Sequence, residues 1–305
     1  MDIFLSEISP IRGELFALLA ALLWAIASVI FRHLGSVIRP IELNLLKGVI
    51  ALTLLSLTSL LMGEKLTTLA PLAVLMLMIS GAFGIGFGDT MYFESLNLLG
   101  PRRTLLLGIL APPLTALIAS LTLGETLNWL SWAGILLTIL GVAWVITENR
   151  DAAGNPGSNT WKGVLFGFLA AFSQAVGAVM SRWALTRTEV SSLQSTVIRL
   201  VAGVAFLVLW LLISRQKVGA WIKPNSTPRF WGTILLVVVI GTYLAIWLQQ
   251  LSFQYTRVGI ASTLLATSPV FILPISALLG EKITLRAILG VIISIGGVSL
   301  LFLTP

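Results

Sequence analysis

Cysteine is absent from the 305 residues, and the chain has one histidine, three tyrosines and a charged fraction of only 10%. Without cysteine there is no disulfide, no thiolate nucleophile and no Cys metal site. One histidine, no cysteine and no paired acids in mid-membrane also leave a membrane-embedded enzyme without its nucleophile, metal cluster or acid–base couple. No catalytic activity, metal or cofactor is therefore expected. The scarcity of charge, set against 57% hydrophobic residues and a mean hydropathy of +1.01, excludes a water-soluble domain. A net charge of +7 does not mark a nucleic-acid binder, because Lys and Arg are spread through short connections rather than gathered on one element. Met1 to Pro10 carries Asp2 and Glu7 where a cleavable leader wants basic residues, so no secretory signal is expected.

What the chain has is apolar length. A spanning helix needs about 20 mostly apolar residues, because its backbone polar groups must be satisfied within the segment. Ten such runs are present: 13–33, 41–62, 71–93, 103–123, 128–147, 162–184, 192–214, 231–252, 260–279 and 285–304. The stretch between the fifth and sixth, ENRDAAGNPGSNTW at 148–161, is rich in Gly, Asn, Asp and Ser and reads as a linker. The expected fold class is an all-α integral membrane protein of ten transmembrane helices, with a first repeat at 1–147 and a second at 162–305.

The two parts are copies. GELFALLAALLWAIASVIFR at 13–32 returns 150 positions later as GVLFGFLAAFSQAVGAVMSR, with nine of twenty positions identical. Residues 113–142 match 269–298 at ten of thirty, including Leu-Gly-Glu at 123–125 and 279–281. Five crossings per copy end on the face opposite their start, so the second copy enters the membrane upside down. Inverted repeats place a ligand between them near the midplane and offer two nearly equivalent packings, one open to each side, from which alternating access follows.

The chain resembles the drug/metabolite transporter superfamily, specifically the ten-helix EamA type with two tandem EamA domains. The residues carrying the resemblance are Trp24 and Arg32 in the first helix, the basic residue in the second helix of each half (Lys47, Arg199), and the segments from Pro113 and Pro269 to Leu-Gly-Glu. Gly134 and Gly141, matched by Gly290 and Gly297, complete the pattern. The resemblance implies a secondary transporter, most often an exporter of amino acids, related metabolites or drug-like compounds. It also implies a cavity lined by the first, third, fourth, sixth, eighth and ninth helices.

Ionisable groups inside spanning helices are costly and face protein or water. Lys47 and Arg199 each lie about 10 Å along their helices at 1.5 Å per residue, and since those helices enter from opposite faces, the two cations are expected at opposite ends. Asp89 should share the depth of Lys47 and form an ion pair with it. The second copy has Ala245 or Ile246 where Asp89 stands, which leaves Arg199 near Gln249 and Gln250. An acid on one side only makes Asp89 the candidate for proton coupling, with a permanent neutralising pair as the alternative. Trp24 and its repeat equivalent Gln174, with Tyr92, Tyr243, Trp247 and Gln250, are the candidate substrate-cavity residues, an aromatic wall with a few polar groups. Pro113 and Pro269 are expected midway along helices, where the ring removes a hydrogen bond and kinks the axis. Gly84 and Gly88, and the paired glycines of the fifth and tenth helices, favour close helix contact. Glu14, Glu94 and His33 fall near helix ends, and Glu125 and Glu281 at turns where a carboxylate suits the positive end of the next helix.

Of the 19 basic residues, five fall on the side of the termini, twelve on the other and two inside the membrane, which by the positive-inside rule puts the termini outside. The resemblance implies cytoplasmic termini. The expected partners are a small-molecule substrate, a coupling proton and the lipid bilayer of a plasma (inner) membrane, not nucleic acid, with the chain a monomer or weak homodimer. A lipid-translocating protein or a channel is the alternative function. A sugar phosphate or nucleotide sugar is the alternative substrate, although it should want more than one cation at one site.

Overall fold

The computed structural model describes residues 12–63, 69–123, 128–146, 160–215, 218–222, 227–256, 258–280 and 283–302. Glu125, Glu281 and most of the expected linker lie outside these. Among the described residues every regular element is helical. In chain order they are α1 (Arg12–Gly35), α2 (Pro40–Leu61), α3 (Pro71–Ser80), a π-helical stretch (Gly81–Gly88), α4 (Asp89–Gly108), α5 (Ala111–Leu123), α6 (Trp129–Ile146), α7 (Thr160–Arg187), α8 (Ser192–Ile213), α9 (Pro228–Val238), a second π-helical stretch (Val239–Leu244), α10 (Ala245–Tyr255), α11 (Val258–Leu265), α12 (Ser268–Leu278) and α13 (Leu285–Phe302). Among the described residues seven stretches are long and apolar enough to cross a membrane, and the helices at Trp132–Val145 and Leu285–Leu300 are apolar but shorter.

Gly100, at φ 80°, takes a backbone conformation open to glycine, and Pro101 restarts the helix after it inside α4. Pro113 and Pro269 do not kink helix middles. The helix breaks before them, at 109–110 and 266–267, and both prolines sit in the first turn of the half-helix that follows, where a missing N–H costs no hydrogen bond.

The halves interlock through small residues. Ala17, Ala20, Ala21 and Ala25 of α1 are fully buried, and α1 packs on α10, α11 and α12 of the second half. Its copy α7, with Gly167, Ala170, Ala171 and Gly177 buried, packs on α3, α4 and α5 of the first. Without a hydrophobic drive between helices in lipid, such close backbone approach supplies the association. The pair α6 and α13 approaches in the same way. A side chain at Gly141 would meet Ser294 and the Gly290 carbonyl, one at Gly297 would meet Thr138 and the Gly134 carbonyl, and Thr138 Oγ1 lies 3.3 Å from the Ser294 carbonyl it donates to. Contacts that climb one helix while descending the other make the pair antiparallel.

Each half also repeats a cap. Arg32 Nη1 donates to the Leu96 carbonyl at 2.8 Å, and Arg182, its equivalent in α7, donates to the carbonyls of Phe253 and Thr256. A cation on the last carbonyls of a helix complements the dipole there. Arg182→Ala is expected to cost about 2 kcal/mol, the scale of hydrogen bonds to a charged group. Thermal unfolding in detergent, with Arg182→Lys as comparison, checks it.

Candidate functional site

A cavity of about 180 Å³ lies where the halves meet. Its wall is drawn from α1 (Trp24, Ala27, Phe31), the first π stretch with α4 and α5 (Ile85, Asp89, Tyr92, Phe93, Thr104, Pro112, Thr115), α7 (Gly167, Ala171, Gln174), the second π stretch with α10 (Gly241, Ile246, Gln249, Phe253), and α11 and α12 (Ser262, Leu265, Ser268, Pro269). The wall also includes Lys47 of α2 and Arg199 of α8. The volume lies below the roughly 300–1,000 Å³ of pockets for drug-sized ligands.

Both π stretches fall at the cavity, one in each half. The extra residue of a π turn leaves carbonyls out of register, and such turns recur at functional sites. Asn44 of α2 meets part of that need, its Nδ2 donating to the carbonyls of Ile85 at 2.8 Å and Gly86 at 3.0 Å and to Thr90 Oγ1 at 2.9 Å. In the second half the carbonyl of Gly241 accepts from Trp24 Nε1 at 3.2 Å, so the cavity tryptophan is itself tied to a π turn.

Lys47 Nζ and Asp89 Oδ2 are 2.5 Å apart, the ion pair that shared depth had suggested, and Nζ lies 5.4 Å from the Phe93 ring centre. The lysine side chain is 5% exposed and the aspartate 21%, so the carboxylate is the more open of the two to the cavity. Arg199 is not at the opposite end. It lines the same cavity, close enough for Asp89 to act on it electrostatically. Depth counted along the helices separates the two cations, whereas the fold brings both to one cavity.

Trp24, Tyr92 and Gln174 stand in the wall as expected; Tyr243, Trp247 and Gln250 do not. The Tyr243 hydroxyl shares a hydrogen bond of 2.9 Å with Thr58, and its ring packs with Trp247 against the apolar core. Gln250 is 0% exposed and accepts from Ser195 Oγ at 2.9 Å. The wall positions of α10 are instead Ile246, Gln249 and Phe253, one residue out of phase with the expectation. An added residue in the preceding π stretch turns everything after it by about 100°. Of the proline candidates, Pro269 reaches the wall, and Pro112 does so in place of Pro113. Thr115, Ser262 and the phenylalanines Phe31, Phe93 and Phe253 were not anticipated, since nothing in their local sequence distinguishes them from packing residues. Glu14 accepts a hydrogen bond from Thr256 Oγ1, an anchoring role between the halves.

Trp24→Ala and Gln174→Ala are each expected to raise the half-saturation concentration for transport about tenfold, the worth of roughly 1.4 kcal/mol of lost contact, with folded protein retained. Unaltered kinetics in both would remove them from the substrate's path.

The pattern of the EamA-like transporter family matches residues 11–147 and 161–303. The chain is 26% identical over 181 residues to "Uncharacterized transporter sll1164" of Synechocystis sp., a match covering 56% of this chain and about half the length (50%) of that relative. A protein of known crystal structure shares the fold at TM-score 0.71 with 20% identity, over 95% of this chain and 96% of its own.

Proposed function

Because the chain belongs to the EamA-like transporter family, we propose that it is a secondary transporter that carries small metabolites, amino acids or related compounds, outward across a plasma (inner) membrane by alternating access. It is a multi-pass membrane protein that transports small molecules, with the lipid bilayer as its surroundings. Ten crossings follow if the helices separated at Gly100 count as two and the half-helices meeting at 109–110 and 266–267 each count as one.

The observation that carries the reading is the register of α6 on α13. Gly134 and Gly141 are the repeat equivalents of Gly290 and Gly297, yet Gly134 faces Gly297 and Gly141 faces Gly290. Such an exchange is the mark of a two-fold contact between copies. With the helices antiparallel, its axis lies across them, in the membrane plane, as inverted repeats require. The matching π stretches and matching arginine caps support the same symmetry. Asp89, open to the cavity and without a counterpart in the second half, is the coupling residue in this reading, its proton exchanged as the cavity changes sides.

Counterflow in proteoliposomes tests the carrier. Preloading with unlabelled amino acids or small metabolites is expected to accelerate entry of the labelled compound and to saturate with concentration. Ion conductance, or scrambling of labelled lipid, without such acceleration would replace the carrier by a channel or a lipid-translocating protein.

A further inference from the structure

We infer that the solute binds through a carboxylate held by Arg199, so that its class is a small organic monocarboxylate with an apolar body. The inference rests on the carrier reading and names the substrate of the same cavity.

Arg199 is 2% exposed, and its Nε and Nη1 have no hydrogen-bond partner. Burying two guanidinium nitrogens without partners is costly, and the donors of a guanidinium suit a planar carboxylate. Among the described residues of the wall Asp89 is the one acid, and it is hydrogen-bonded to Lys47. The charged residues of the wall, Lys47, Asp89 and Arg199, therefore leave one net positive charge, which one carboxylate neutralises. A phosphate dianion would leave the cavity negative.

Small residues of both halves lie beside the Arg199 head group. A side chain at Gly84 would stand 3.4 Å from Nη2, and one at Gly177 3.6 Å. Two glycines, one from each half, therefore border the guanidinium with bare backbone. Among the described residues of the wall an ammonium group finds no unpaired acid, so the amine of an amino acid contributes little and the carboxylate is the obligatory group. The rest of the wall, with Trp24, Phe31, Tyr92 and Phe253, suits an alkyl or aryl body.

Equilibrium titration of the purified protein in detergent at neutral pH, following tryptophan fluorescence, tests this with three probes of one shape: 4-methylpentanoate, leucine and 3-methylbutan-1-amine. The acid is expected to bind saturably, leucine comparably, and the amine at least 100-fold more weakly. Arg199→Gln is expected to lose about 100-fold in affinity for the acid while remaining monodisperse, since it removes a buried unpaired charge, and Arg199→Lys to retain part of the affinity. Amine binding as tight as the acid, wild-type affinity in Arg199→Gln, absence of acid binding, or binding of glucose 6-phosphate instead would each overturn the assignment. Because these are binding measurements, their failure leaves a positive counterflow result standing, and the carrier reading fails only on counterflow.

Discussion

Asp89→Asn is expected to abolish accumulation driven by a pH gradient while leaving exchange of substrate for substrate intact. The amide keeps the shape of the side chain but carries no titratable proton. It also strips Lys47 of its partner, with Nζ and Oδ2 now 2.5 Å apart, and leaves two cations facing one cavity. Removing one member of a buried pair costs about 3–5 kcal/mol. The lower end is expected here, about 3 kcal/mol, because the carboxylate is 21% exposed. The double variant Lys47→Gln with Asp89→Asn should regain most of that stability, because it removes the orphaned charge, while remaining uncoupled. Gradient-driven uptake in Asp89→Asn equal to wild type would show the pair to be a permanent neutralising element, and equal thermal stability of the single and double variants would remove the charge argument.

Gly81→Ala is the change expected to damage the fold most for the smallest alteration. A Cβ there would stand 2.1 Å from the carbonyl oxygen of Arg199 and 2.6 Å from its C and Cα. These are backbone atoms of a helix and cannot turn aside, so the first π stretch and α8 must separate. Overpacking costs about 1–3 kcal/mol where side chains adjust, and more than 3 kcal/mol is expected where backbone must move. The shift also displaces Arg199 itself. Gly232→Ala in α9 is the control, with nothing within 4 Å of the new methyl and a gain of about 0.5–1 kcal/mol in helix stability expected. Size-exclusion profiles and unfolding temperatures of the two variants decide it: a monodisperse Gly81→Ala protein as stable as wild type would contradict the packing described here.

The sequence was most informative where it repeats. Equal spacing located the corresponding helices, counted depth paired Lys47 with Asp89, and repeat equivalence carried Trp24 onto Gln174, each now in the cavity wall. The paired glycines of α6 and α13 likewise meet as their spacing suggested. What composition could not register is helical phase. GAFGIGFG at Gly81–Gly88 and VIGTYL at Val239–Leu244 are ordinary apolar segments, yet both wind as π-helix. The second of these moves Gln249 into the wall and Gln250 out of it. Proline position is illegible for a related reason: a proline inside a long apolar run fits either a kinked helix or the start of a new one, and only the breaks at 109–110 and 266–267 distinguish them. The meeting of the two cations was the third gap. Arg199 and Lys47 stand on different helices, and both side chains line one cavity.

The absence of native cysteine makes the central claim directly accessible. Gln174→Cys places one thiol in the cavity wall, and a membrane-impermeant maleimide is applied to right-side-out and to inside-out vesicles. A single cavity that opens to each face in turn predicts labelling from both sides, slowed from both by saturating substrate. Labelling confined to one face, or the same rate with and without a transported substrate, would contradict alternating access through this cavity.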